Sequence, residues 1–171
     1  MAARRTSCSR TRGQETQGSG PSKGEQTDSG DRTADPKPAP KPAVYKGINL
    51  TAGYHLTLGD DDVRPQEGED GGYELSYDTG GYLDAETQDG NLVLLDPGQE
   101  GSLAACRADT RFTKNLYLNK LSKGRQVCVT TGTGHMGLLT VQGFSAEGSP
   151  STYMTLDVTV WRNAVGTDSG S

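Results

Sequence analysis

From residue 44 onward, apolar and polar residues alternate, and almost nowhere do apolar residues recur at helical spacing. "YHLTL" sets Tyr54, Leu56 and Leu58 on one face, with His55 and Thr57 on the other. "YELSY" sets Tyr73, Leu75 and Tyr77 against Glu74 and Ser76. "YMTLDVTVW" turns Met154, Leu156, Val158 and Val160 inward, and Thr155, Asp157, Thr159 and Trp161 outward. A period of two marks a strand with one buried face. The shorter runs "NLVLL", "SLAAC", "NLYLNKL" and "RQVCVTT" read as further strands. Clusters of Gly, Asp and Asn ("DTGGY", "TQDGNL", "DPGQEG") fall between them, where turns need such residues. Asp89-Gly90 has the form of a two-residue hairpin turn. Roughly eight to ten short strands with frequent turns predict an all-β fold, a single small antiparallel sandwich or barrel.

The pattern stops abruptly toward the N-terminus. Residues 1–43 contain no Val, Ile, Leu, Phe, Trp or Tyr, and they end in "DPKPAPKPA". Such a segment cannot bury enough apolar surface to offset the entropy of ordering it. It reads as a disordered Pro/Gly/Ser-rich tail or linker, stiffened at its end by prolines. The expected organisation is therefore a tail over 1–43, a β domain over 44–165 and a disordered C-terminus over 166–171.

Charge divides at the same boundary. Residues 1–43 carry eight Lys and Arg against five Asp and Glu; the rest carries nine against seventeen. An acidic body argues against nucleic acid, whose phosphates need a basic surface. No run of apolar residues is long enough for a membrane-spanning helix. "MAARRTSCSR" lacks the apolar stretch of a signal peptide, so the expected location is extracytoplasmic if the true start lies upstream, and otherwise cytoplasmic.

The most suggestive string is "VCVTTGTGHMGLLTV", in which Gly132, Gly134 and Gly137 spell G-x-G-x-x-G. A dinucleotide loop needs a helix directly after these glycines. Here β-branched residues, Gly143, Gly148 and Pro150 follow instead, so the string reads as a hairpin connection whose glycines take positive φ. No cofactor is expected. Nucleophilic catalysis would require His135 beside a carboxylate such as Asp84 or Asp157, and no nucleophile elbow is present. His135 reads as a solvated loop residue and His55 as a surface strand residue. Asp60–Asp62 and the group Asp84, Glu86 and Asp89 supply oxygens of the kind Ca²⁺ takes, but they read first as a solubilising rim, and no metal site is expected. Trp161, Tyr117 and Tyr153 form either an aromatic platform or part of the core.

Cys106 and Cys128 sit in strand-like runs, 22 positions apart, with Cys8 left over. They are read as a disulfide, which implies an oxidising compartment. Two buried free thiols are the alternative.

The cysteine runs "GSLAACR" and "KGRQVCVTTGTGHMGLLTV", with the ending "LDVTVW", carry a resemblance over roughly 48–163. This stretch resembles the C-terminal β-rich extracytoplasmic accessory domains of actinobacterial proteins that are joined to Ser/Thr kinases or anchored in the membrane through a Pro/Gly/Ser linker. The resemblance implies an accessory domain beyond a membrane. The chain departs from that pattern in having neither a kinase signature nor a membrane helix. The functional expectation is a non-catalytic binding or sensory module for an unknown protein or small-molecule ligand. A cytoplasmic interaction domain with reduced cysteines is the alternative.

Overall fold

The structure, a computed structural model, describes residues 38–166, so most of the expected tail and the end beyond 166 lie outside it. The described chain is all-β. It runs β1 (Pro42–Thr51), β2 (Tyr54–Leu56), β3 (Gln66–Glu67), β4 (Leu75–Asp78), β5 (Tyr82–Asp84) and β6 (Asn91–Leu94). A short helix α1 (Leu103–Ala108) follows, then β7 (Asn115–Tyr117), a 3-10 turn (Leu118–Lys120), β8 (Gln126–Thr130), β9 (Met136–Phe144) and β10 (Tyr153–Trp161). β1 starts at Pro42, slightly ahead of the boundary that composition suggests.

Two antiparallel sheets result, β1-β10-β9-β8-β6 and β3-β2-β4-β5-β7. Their facing sides make the main core. Leu50, Leu156, Val158, Val127, Leu139 and Val141 of the first sheet meet Leu56, Leu75, Tyr77, Leu83 and Leu116 of the second. These are the inward positions of the alternating runs, and each aliphatic side chain so buried contributes about 1.5–3 kcal/mol.

A second apolar cluster lies on the outer side of the first sheet. Val93, Cys128, Leu138, Met136 and Trp161 form it with Leu95, Ala164 and Cys106. Trp161 does point away from the main core, as alternation requires, yet it is only 8% exposed because this side is covered. The cover includes α1, where the alternation reading had placed a strand. "SLAACRA" is helical because Ser102 caps it, its hydroxyl accepting from Ala105 N–H at 3.1 Å, and because alanine favours helix. Cys106 is its buried residue. The Cys106 and Cys128 sulfurs lie 2.00 Å apart, at disulfide distance, pinning α1 to β8.

Three connections differ from their sequence reading. Asp89-Gly90 is a turn, with Asp89 at φ 60 and Gly90 N–H donating to Thr87 O, but it carries the chain from the second sheet to the first instead of closing a hairpin. "NLYLNKL" is a strand only to Tyr117. The G-x-G-x-x-G string is the β8–β9 hairpin, but of its glycines only Gly134 takes positive φ, at 92°. Gly132 is needed for close approach, since a Cβ there would come 2.0 Å from Gln88 O.

β1 lies at the open edge of the first sheet, and its register with β10 shifts between Tyr45 and Ile48. Gly47 in that bulge has φ 66, and its N–H donates to Asp157 Oδ1 at 2.9 Å. Lys46 and Gln142 approach the other oxygen of the same carboxylate, at 3.4 and 3.0 Å. Asp157 thus sits on the outward face, as read, and holds a kink.

Candidate functional site

Strand register assembles a row on the outer face of the first sheet: Asn91 beside Thr130, Thr130 beside Met136, Met136 beside Trp161. Asn91, Thr130 and Met136 line a cleft of about 310 Å³. One wall is Cys106 and Arg107 of α1 with Phe112 just beyond; the other is Ala164, Val165 and Gly166. Phe112 is 53% exposed and Val165 41%, two large apolar side chains held at one opening. A second cleft of about 470 Å³ adjoins it, sharing Arg107, Ala164 and Gly166 and reaching Pro38–Pro40.

Both walls are held in place. The cysteine pair fixes α1. Arg107 donates to Ala164 O, linking the walls. The far wall hangs on the glycine hairpin: Val165 N–H donates to Gly134 O at 3.1 Å, and Asn163 N–H to His135 Nδ1 at 3.1 Å. The string that resembles a cofactor loop thus acts as a bracket for residues 163–165.

His135 is accordingly half-buried rather than solvated. Its Nδ1 accepts, which puts the proton of a neutral ring on Nε2. Nε2 faces Gly59, where an added Cβ would lie 2.9 Å from it. The carboxylate at this turn is neither Asp84 nor Asp157 but Glu74, which accepts from Leu58 N–H, Gly59 N–H and the Thr133 hydroxyl. With three donors on a carboxylate only 5% exposed, Glu74 ties the turn at 58–59 to the hairpin. Alternation had placed Glu74 on a solvent face.

His55 is buried, only 5% exposed, and is not a surface strand residue. Tyr73 stacks on it with centroids 3.4 Å apart, and its Nδ1 lies 3.0 Å from Gly68 O. Tyr73 therefore packs on the outer side of the second sheet, not in the core. Register sets His55, Ser76 and Asp84 side by side, the residue types of a catalytic triad. The bonding differs from a triad, because the Ser76 hydroxyl donates to Glu86 Oε1 at 2.6 Å. Glu86 Oε2 also accepts from Gly71, Gly72 and Tyr73 N–H. Burial raises the Glu86 pKa, but the Ser76 hydroxyl and these amides outweigh it and hold the carboxyl below its ordinary value. Burial, then the charge of Glu86, raises Asp84.

The acidic loops thus spend several carboxylates on backbone amides, with Glu69 similarly capping Thr79 N–H at 2.7 Å. Among the described residues no group of three His, Cys, Asp or Glu is placed to hold a metal ion. Tyr117 is exposed and meets Tyr82 edge-on, centroids 5.6 Å apart, on the second sheet. Trp161 lies in the covered cluster, so the three aromatics do not form one platform.

Another hollow, about 440 Å³ on the opposite flank of α1, is lined by Asp96, Gln99, Asp109 and Arg111. Its charges are matched: Arg111 reaches Asp109 at 2.5 Å and Asp96 at 2.9 Å. The Arg111 contacts hold Asp109 down to about 2. The 310 Å³ cleft differs in joining Met136, Phe112 and Val165 to a cation, with no carboxylate among the described residues that line it.

No protein-family model, no curated protein and no solved structure matches the chain.

Proposed function

We propose that the domain is a non-catalytic binding or sensory module of the extracytoplasmic side, and that its ligand seats between α1 and residues 163–166. The observation that carries this reading is the pair of exposed apolar side chains, Phe112 and Val165, at one cleft with a buried floor. Concave, mostly apolar sites with a few convergent polar groups are where small ligands bind. The cysteine pair at disulfide distance supports an oxidising compartment, and the resemblance to accessory domains of actinobacterial kinases supports the same side of the membrane. No helix among the described residues is long and apolar enough to cross a membrane.

Two measurements test this. The first is a fragment screen of neutral apolar compounds by amide NMR shifts. Saturable shifts should gather on Asn91, Phe112, Thr130, Met136 and Val165 and disappear in Phe112→Ala; shifts scattered elsewhere refute the site. The second is alkylation of the unfolded protein from its native host, with and without reductant. Cys106 and Cys128 should resist until reduced. Immediate alkylation of both moves the domain to the cytoplasm as an interaction module with reduced thiols.

A further inference from the structure

Resting on the cleft reading above, we infer that the ligand is a medium-chain aliphatic carboxylate, with its chain on Phe112, Met136 and Val165 and its carboxylate on Arg107. Arg107 is exposed in the last turn of α1 and lines both adjoining clefts. A guanidinium has five N–H donors in a fork that fits a carboxylate. Its hydrogen bond among the described residues is the one from NH2 to Ala164 O, and none of their carboxylates forms an ion pair with it.

The other arginines on this side are committed. Arg111 is held by Asp109 and Asp96, and Arg162 donates to Gly59 O, Asp60 O and the Tyr45 hydroxyl. Among the described residues, neither cleft has an Asp or Glu in its lining. In a chain with a net charge of −5, a surface whose described residues supply no carboxylate and one exposed guanidinium, that of Arg107, favours an anion. The apolar side chains of Met136, Phe112 and Val165 then disfavour compact hydrophilic anions, which would leave them uncovered and lose hydration without recompense. A volume of about 310 Å³ matches the lower end of small-molecule sites.

The test titrates the oxidised full-length protein with sodium decanoate and, separately, with 1-decanol of equal chain length, following amide shifts. Decanoate should shift Asn91, Arg107, Phe112, Thr130, Met136 and Val165 saturably, and decanol should bind about tenfold more weakly or worse. Arg107→Gln should weaken decanoate about tenfold and leave decanol unchanged, and Arg107→Lys should restore part of the loss. Unchanged decanol affinity and thermal midpoints check that losing the Arg107–Ala164 hydrogen bond has not displaced the cleft wall. Decanol binding as tightly as decanoate, or an Arg107→Gln protein that is folded and keeps full decanoate affinity, overturns the inference and leaves the cleft reading standing. Absence of any saturable shift with decanoate also overturns it. If the neutral fragments fail as well, the cleft reading falls with it.

Discussion

The two apolar clusters are built by different rules. The core between the sheets follows strict alternation: Leu156, Val158 and Val160 of β10 and Leu139 and Val141 of β9 all lie at inward positions. The cluster under α1 uses the opposite parity of the same strands, so β6, β8 and β9 each carry adjacent apolar residues. Leu92-Val93, Val127-Cys128-Val129 and Leu138-Leu139 are buried on both faces. Consecutive apolar residues in a half-buried sheet therefore announce a cover on the second face. The first cluster holds the two sheets together. The second holds α1 to one sheet and depends on a covalent tie.

Substitutions can break that distinction. Leu139→Ala removes a fully buried side chain from the main core and should cost about 2–5 kcal/mol in urea unfolding, with every probe reporting one lowered transition. Replacing Cys106 and Cys128 together by alanine should cost roughly 3 kcal/mol, from the 22-residue loop it reopens. Its signature differs: the single tryptophan, Trp161, should shift its emission to the red before the far-UV strand signal is lost. Coincident transitions would make the two clusters one cooperative unit and end the comparison. Gly132→Ala forces a Cβ against Gln88 O and should cost about 1–3 kcal/mol, loosening the hairpin that carries the cleft wall.

Glu86→Gln should be milder, about 1 kcal/mol or less, because the group is partly exposed. The Glu86 pKa is depressed in the fold, so its stabilisation is present above the ordinary glutamate value of 4.5. It is lost as pH falls through the lower folded value. The stability gap between wild type and Glu86→Gln should therefore close on acidification; a gap that stays constant with pH would assign the loss to shape and not to charge. Phe112→Ala should change stability least, below about 0.5 kcal/mol, since the ring is 53% exposed, while removing ligand shifts at the cleft.

Legibility in the sequence follows the same division. Period two revealed the strands, the all-β class and the hairpin nature of the glycine string, because one buried face writes itself into alternate residues. It misread "SLAACRA", where six helical residues are too short for a period to emerge and the Ser102 cap and the alanines are the local signals. It also misread Glu74, His55 and Ser76, which alternate correctly and are polar, yet are buried under loops whose amides and Tyr73 satisfy or cover them. Cover by a loop leaves no trace in a strand's own pattern. Cys106 and Cys128 were legible as a pair. The cleft they brace was not, since Phe112 and Val165 lie outside any strand and come to one cleft only through the tertiary path of the chain.

The bulge in β1 has a consequence for the molecule among its own copies. Among the described residues the outer edge of β1, ten residues long, pairs with no strand, and exposed Val44 adds an apolar side chain to it. At Gly47 a strand docking alongside would lose step with the β1 amides, and Lys46 would have to shed its water. Asp157, reaching across from β10 to hold that kink, keeps the edge out of register for strand-to-strand pairing with another copy.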